Sequence, residues 1–198
     1  MHLLFNHPKI NNKKGEKGLS LIESAMVLAL AATVTAGVMF YYQSASDSNK
    51  TQSAISEVMS ATSAINGLYI GQSNYNNLSA KVLINSSAIP DNYKKDDKIM
   101  NPFGGELLVV PAANGSFYGY SLELNKLPKS ACISLATLNL GTSAAGYGIN
   151  MTNTPSSSGP SISPTVAKNT SITPSEAADS ATGCKNDGNN NSVTYFMK

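Results

Sequence analysis

The longest hydrophobic stretch of the chain runs from Leu19 to Tyr42 and contains a single charged residue, Glu23. As an α-helix this stretch would extend about 36 Å, which is long enough to cross a bilayer. After Gln43–Asn49 the pattern changes to apolar residues three and four positions apart, which is typical of an amphipathic helix. No proline interrupts Leu19–Ile70, and Gly71 can cap the end. The pattern therefore predicts one helix of about 50 residues.

The two halves of this helix are predicted to have different surroundings. The first half is apolar on every side, so lipid or protein should cover it completely. The second half should pack one apolar face against a globular head and leave its polar residues in water. That face comprises Ile55, Val58, Met59, Thr62, Ile65, Leu68 and Tyr69.

The remaining pattern predicts a loop-rich head with an antiparallel sheet, so the predicted fold class is α+β. Gly104-Gly105 indicates a turn before a strand at Glu106–Val110. Asn114-Gly115 indicates a hairpin, because this dipeptide suits the tight turn between antiparallel strands. The next strand alternates apolar residues at positions 118, 120, 122 and 124, and Val193–Lys198 should form a terminal strand.

Two short helices are predicted in the second half of the head. The first begins at Pro128 and continues to Gly141. The second begins at the capping box Thr173–Glu176, which has proline at the first helical position, and it should lead to Cys184.

Other segments give weaker signals. Lys81–Ile84 fits either a short strand or a helical turn, and both remain open. The charged segment Asp91–Lys98 is predicted to be a solvated loop. The glycines at 141, 146 and 148 are too loosely spaced for a phosphate loop and indicate turns. Met151–Ser163 and Asn186–Asn191 are too polar to bury apolar surface, so exposed loops are expected.

The N-terminal residues allow three interpretations. A secretory signal would have a shorter apolar centre followed by a small-residue cleavage site. A plain transmembrane anchor fits the length but explains neither Gly18 nor Glu23. A prepilin leader would be cut before the apolar run and would leave that run on the mature protein. The lysines before Gly18 and the carboxylate five residues after it favour the prepilin leader.

Gly18, Leu19 and Glu23 resemble the processing site of type IV pilins. The likeness to the type IVb pilins extends through most of the chain from about Lys13. Its later blocks are Ala88–Tyr93, Asn101–Leu107, Cys132–Gly141 and Val193–Lys198. It is weakest over Ser73–Ile84 and Met151–Asn191.

The resemblance implies roles for three N-terminal residues. Cleavage would fall between Gly18 and Leu19, and the new amine of Leu19 would be N-methylated. Glu23 would meet the N-terminal amine of a neighbouring subunit, and the alternative is a contact with the amine of its own chain. The expected domains are a leader at 1–18, an apolar anchor and filament-core helix at 19–42, and a globular head at 43–198.

The implied function is that of the repeating subunit of a helical pilus, with roles in bacterial aggregation and adhesion. The implied partners are further copies of the chain, prepilin peptidase, the pilus assembly machinery, the inner membrane before assembly, and the host cell surface. The expected localisation is the inner membrane first and the extracellular pilus afterwards. The alternatives are a minor pilin or pseudopilin and, in another class, a membrane-tethered enzyme. No cofactor and no metal are expected.

The charge of the chain is concentrated in the leader. All 14 basic residues are lysines, and four of them precede Leu19 together with one acid. The mature chain then has ten lysines and 11 acids, so its charge gives no support to nucleic-acid binding, which needs a basic face.

Histidine and cysteine restrict the chemistry further. Both histidines precede Gly18, so the mature chain would lack histidine-based catalysis and the usual catalytic zinc ligands. Cys132 and Cys184 are an even pair in an exported chain, which predicts a disulfide; two unrelated buried thiols are the alternative.

Overall fold

The computed structural model describes residues 20–87, 89–113, 115–151 and 167–198. A single helix, α1 (Leu21–Leu68), accounts for 48 of them. Its residues up to Gln43 belong to one compact unit, and Ser44–Lys198 form the second. The predicted long helix is therefore present, two residues shorter at each end than the sequence pattern suggested. Gly71 follows it with a φ of 80°, a left-handed conformation that glycine adopts without strain.

The second unit adds a five-stranded antiparallel sheet and three short helices to the end of α1. The elements are α2 (Ala80–Asn85), β1 (Lys94–Lys95), β2 (Lys98–Ile99), β3 (Leu107–Pro111), β4 (Tyr120–Leu127), α3 (Lys129–Ala136), β5 (Ala144–Ile149), β6 (Ala167–Lys168), α4 (Pro174–Ala177) and β7 (Asn191–Met197). The strand order in the large sheet is β3-β4-β7-β5-β6, and β1 and β2 form a separate hairpin. The predicted α+β class is confirmed.

One face of the large sheet forms the main core. Alternate residues of β4 and β7 point to this face, because successive side chains of a strand point to opposite sides. Leu122 pairs with Tyr195 and Leu124 pairs with Val193, and all four are fully buried. They join a cluster that includes residues of α1 from Ala54 to Ile65 and residues of α3.

The opposite face of the sheet has a smaller cluster. Tyr118, Ala167 and Phe196 are buried there, with Phe117 and Met151 packed around them. The rings of Tyr118 and Phe196 meet edge to face at 4.9 Å, a favourable arrangement for two aromatic rings. The sheet is therefore covered by apolar side chains on both faces.

Several local predictions were confirmed. The hydroxyl of Thr173 accepts from the N–H of Glu176, and the carboxylate of Glu176 accepts from the N–H of Thr173. The predicted capping box at the start of α4 is therefore complete. Leu107–Pro111 pair with Tyr120–Leu124 as a hairpin. Lys81–Ile84, for which a strand and a helical turn both remained open, belongs to helix α2.

Other local predictions were wrong. The glycines at 146 and 148 lie inside strand β5, where both pair with β7, so they are not turn residues. Asp91–Lys98 contains a 3₁₀ turn and the β1–β2 hairpin instead of an irregular loop. The helix after Pro128 ends at Ala136, five residues before Gly141.

Candidate assembly surface

The first half of α1 exposes nearly every apolar side chain that it carries. Leu21 is 87% exposed and Phe40 is 77% exposed. The exposed large side chains are Leu21, Ile22, Met26, Val27, Leu28, Leu30, Val34, Val38, Met39, Phe40, Tyr41 and Tyr42. The helix is long and apolar enough to cross a membrane. A surface of this size requires a cover, either lipid or the same surface of other molecules.

The polar groups of this half are bonded within the helix. The hydroxyl of Thr33 donates to the carbonyl of Leu30 at 2.8 Å, and the hydroxyl of Thr35 donates to the carbonyl of Ala31 at 2.8 Å. A hydroxyl that is bonded in this way costs little to place in an apolar environment. The half can therefore be enclosed on every side without leaving its threonines unpaired.

Glu23 caps the N-terminus of its own helix. The backbone N–H of Ser20 donates to Glu23 Oε2 at 3.0 Å, and Glu23 is the third residue of α1. A carboxylate here satisfies a free N–H and lies at the positive end of the helix dipole. Gly18 and Leu19 lie outside the described residues, so the cleavage site and the pairing of Glu23 with an N-terminal amine remain predictions.

The second half of α1 packs on the head through a face that agrees with the predicted one only in part. Met59 is 58% exposed and Leu68 is also exposed, whereas Val58 and Ile65 are fully buried. The buried residues are Thr51, Ala54, Glu57, Val58, Ala61 and Ile65. The buried stripe is centred on two alanines, because small residues let the helix backbone approach the sheet closely. The predicted pattern included Val58 and Ile65 but not the two alanines, because it counted only larger side chains.

Glu57 is a buried carboxylic acid on this face. It is 3% exposed, and neither carboxyl oxygen has a hydrogen-bond partner among the described residues. Burial raises the pKa of Glu57 from 4.5 to about 8, since the charged form loses its hydration without gaining a partner. The head therefore holds a neutral carboxyl group against its core at neutral pH.

Cys132 and Cys184 are joined by a disulfide in the structure, with their Cα atoms 5.9 Å apart. Cys132 lies on α3, and Cys184 follows α4, where its N–H donates to the carbonyl of Ala177 at 2.8 Å. The bond closes a segment of 52 residues that includes the short strand β6 and the short helix α4. It holds elements together that are too short to be stable alone.

The segment Asn186–Asn191 was predicted to be an exposed loop, and that prediction is wrong at its end. Asn191 is buried and begins β7. Its side chain donates to the carbonyls of Leu127 and Asn186, and its Oδ1 accepts from the N–H of Asn186. Asn150 donates to Asn191 as well. These amides connect three segments of the head, and a polar tract in the sequence gives no signal of such long-range contacts.

The described part of the chain thus combines an apolar, exposed helix half with an α+β head that contains one disulfide. Comparison with known proteins gives the family. Residues 43–198 match the family described as Bundlin. The chain therefore belongs to the bundlin family, which confirms the resemblance seen in the sequence.

Two relatives are similar over nearly their whole length. Both are called "Major structural subunit of bundle-forming pilus", one from Escherichia coli O127:H6 (strain E2348/69 / EPEC) and one from Escherichia coli O111:H-. Each is 68% identical over 194 residues, which is 96% of this chain and 98% of the relative. A crystal structure of the type IV b pilin from Salmonella typhi superposes with a TM-score of 0.47 at 19% identity, over 73% of this chain and 99% of that one.

Proposed function

We propose that this chain is the major structural subunit of a bundle-forming pilus. The observation that carries the proposal is the 68% identity, over almost the full length of both chains, to proteins of that name. A structural role agrees with this, since the family is one of pilus subunits and not of enzymes. The mature chain would form a helical homopolymer outside the cell, and nucleic acid has no part in the function.

The exposed half of α1 would serve two stages of the process. Before assembly it would hold the subunit in the inner membrane, and in the fibre it would pack with the same segment of neighbouring subunits. Both environments are dry, so one apolar surface suits both. The assembly machinery would transfer the subunit from one environment to the other.

Processing by prepilin peptidase would remove residues 1–18 and leave Leu19 as an N-methylated first residue. Glycine before the cut would let the backbone enter a narrow peptidase cleft. Intact-mass spectrometry of the fibre protein should give a chain that starts at Leu19 with one added methyl group. A mature chain that begins after Tyr42 would contradict the proposal.

Glu23 would act in assembly by pairing with the amine of Leu19 on a neighbouring subunit. Leu19 and Glu23 are four residues apart, so in a helix they share a face, and pairing would neutralise two charges inside an apolar fibre. The alternative is a contact with the amine of the same chain. Glu23 has two properties that matter here, its negative charge and its hydrogen bond from the N–H of Ser20. Two substitutions show which of them assembly requires.

Glu23→Gln keeps an oxygen that accepts from the N–H of Ser20 but removes the charge. Glu23→Ala removes both. We expect each variant to give a processed, membrane-held subunit with few fibres, as counted by electron microscopy of sheared material. If Glu23→Gln assembles normally and Glu23→Ala does not, the residue acts as a helix cap and not as an ion-pair partner.

Bundling and adhesion to host cells would depend on the surface of the head. The segment Met151–Ser163, most of which lies outside the described residues, can be exchanged for an unrelated polar segment of the same length. Fibres should still form while cell aggregation changes. Exchange of Asn186–Asn191 is unsuitable, because Asn191 is buried and bonded to three segments.

A minor pilin or a pseudopilin is the alternative function, since such proteins share the leader and the long helix. Quantification of the chain in sheared pili distinguishes the two. A major subunit should form almost all of the fibre mass, whereas a minor component should be rare.

A further inference from the structure

A polar cavity of about 380 Å³ lies where three separate segments of the head meet. The β1–β2 hairpin contributes Lys95, Asp96 and Lys98, the turn before β3 contributes Glu106, and the end of β4 contributes Asn125 and Lys126. We call it the lysine cavity. We propose that the lysine cavity binds a small anionic ligand of the acidic-sugar class, in which a carboxylate or phosphate stands next to hydroxyl groups.

The frame of the lysine cavity is built by two asparagines. Asn101 is buried, and its Oδ1 accepts from the N–H groups of Phe103 at 2.9 Å and Gly105 at 3.1 Å. Its Nδ2 donates to the carbonyl of Asn125 at 2.8 Å, and Asn125 Oδ1 accepts from the N–H of Glu106 at 2.7 Å. The turn is thus fixed to β4 by side chains, which is more than a solvated turn requires. A fixed cavity loses little entropy when a ligand binds.

The backbone is also shaped to form the lysine cavity. A Cβ at Gly105 would lie 2.1 Å from the carbonyl oxygen of Asn125, so the two segments approach as closely as a glycine allows. Lys126 has a φ of 55°, and the pairing register of β4 with β7 shifts between Leu124 and Leu127. A left-handed lysine is strained, and bulges of this kind redirect a side chain near functional sites. Here the bulge places Lys126 on the wall of the cavity.

The charges of the lysine cavity favour an anion. The head, residues 44–198, has ten lysines and ten acids, so it is balanced as a whole. The cavity has three lysines and two acids, and Lys98 is already paired with Glu106 at 3.1 Å. Lys95 and Lys126 have no ion-pair partner among the described residues. Asp96 is the one acid on the wall without an ion pair among the described residues, so the unpaired side chains of the cavity have a net charge of +1, which favours an anion.

The other polar groups fit hydroxyls. Asn125 Nδ2 makes no hydrogen bond within the part of the chain that the structure describes, so it can donate to a ligand oxygen. Asp96 carries the second acid on the wall and can accept from a hydroxyl. A ligand with a single acidic group and neighbouring hydroxyls would use both kinds of partner. The volume suits a small molecule and not a protein segment.

The test uses the full chain purified in a neutral detergent and measures binding by calorimetry. The probes are glucuronate, glucose 6-phosphate and uncharged glucose. We expect saturable binding of at least one acidic probe that weakens with added salt, and no binding of glucose. The acidic probe that binds more tightly identifies carboxylate or phosphate as the preferred group. Equal binding of glucose, or no binding of either acid at millimolar concentration, would overturn the proposal.

Variants assign the binding to the lysine cavity. Lys95→Gln combined with Lys126→Gln should lose about ten-fold or more in affinity, since two charged hydrogen bonds are removed. Lys185→Gln is the matched control, because it removes one exposed lysine elsewhere in the head, and it should bind as the parent does. Unchanged affinity in the double variant would contradict the assignment.

Lys126→Gly separates binding from folding. Glycine adopts a φ of 55° without strain, so the thermal midpoint of the head should stay the same or rise. Affinity for the acidic probe should fall at the same time. A more stable variant with unchanged affinity would show that Lys126 has no part in binding and would refute its proposed role.

Discussion

In α1 the more apolar half is exposed, and the more polar half is the one that buries side chains. Residues Leu21–Tyr42 are almost wholly apolar and are exposed in the chain. Beyond Gln43 the helix is rich in serine and still buries six residues, among them an acid, Glu57. Burial is thus decided by what lies beside each half and not by its own composition. The proposed function would give the first half its cover from other molecules, whereas the second half is covered by its own head.

A charge placed on the first half of α1 should give the largest effect of the changes that test this difference. Leu30 is 67% exposed, so Leu30→Lys removes no packing within the subunit. The charge costs about 2.5–3.5 kcal/mol at the centre of a membrane and should prevent close packing in a fibre. We expect no fibres, while the thermal unfolding of the head is unchanged. Leu30→Ile is the control and should form fibres; a destabilised head in Leu30→Lys would contradict the division.

In the second half of α1, substitution of a buried residue should change the stability of the head. Ile65→Ala removes a fully buried side chain and should destabilise the head by about 2–5 kcal/mol. Met59→Ala truncates an exposed side chain in the same half of the helix and should change stability by less than about 0.5 kcal/mol. Denaturant unfolding of the two variants measures the difference. Equal losses would show that the buried face is the one predicted from the large apolar residues.

Glu57 makes the stability of the head depend on pH. Its pKa is about 8 in the folded chain and 4.5 when unperturbed, so the unfolded state releases the proton first as pH rises. The contribution of Glu57 to stability is therefore fully present below pH 4.5 and falls by about 1.4 kcal/mol per pH unit until about pH 8. Glu57→Gln should flatten this decline and stabilise the head at neutral pH. Thermal unfolding from pH 4 to pH 9 checks it, and an unchanged slope in the variant would refute it.

The smallest expected effect compares two helical glycines. A Cβ at Gly67 or at Gly37 would meet no atom within 4 Å, so alanine fits at both. Gly67→Ala should stabilise the head by about 0.5–1 kcal/mol, because alanine loses less backbone entropy in a helix. Gly37→Ala should leave head unfolding unchanged, since Gly37 lies in the first compact unit. An effect of Gly37→Ala on the midpoint would show that the two units unfold together.

The long helix, the capping box at Thr173 and the pairing of Cys132 with Cys184 could be predicted because each depends on neighbours in sequence or on a unique pair of residues. Strand β5 could not, since alanine and glycine dominate it and its stability comes from β7 beside it. The buried face of α1 was predicted only in part, at Val58 and Ile65, because alanine contributes to packing and little to hydropathy. The lysine cavity joins residues 95–106 to Asn125 and Lys126 across the β3–β4 hairpin, so no local pattern indicates it.

Strand β7 has a consequence for how the head is made. Asn191–Met197 forms the middle strand of the sheet, between β4 and β5. The carbonyl of Lys198, which follows it, accepts a hydrogen bond from the hydroxyl of Tyr75 at 3.0 Å. Without β7, the pair β3-β4 and the pair β5-β6 have no strand to join them. The head can therefore close only once Asn191–Met197 is in place, and a subunit that lacks this segment should be left with two separate half-sheets.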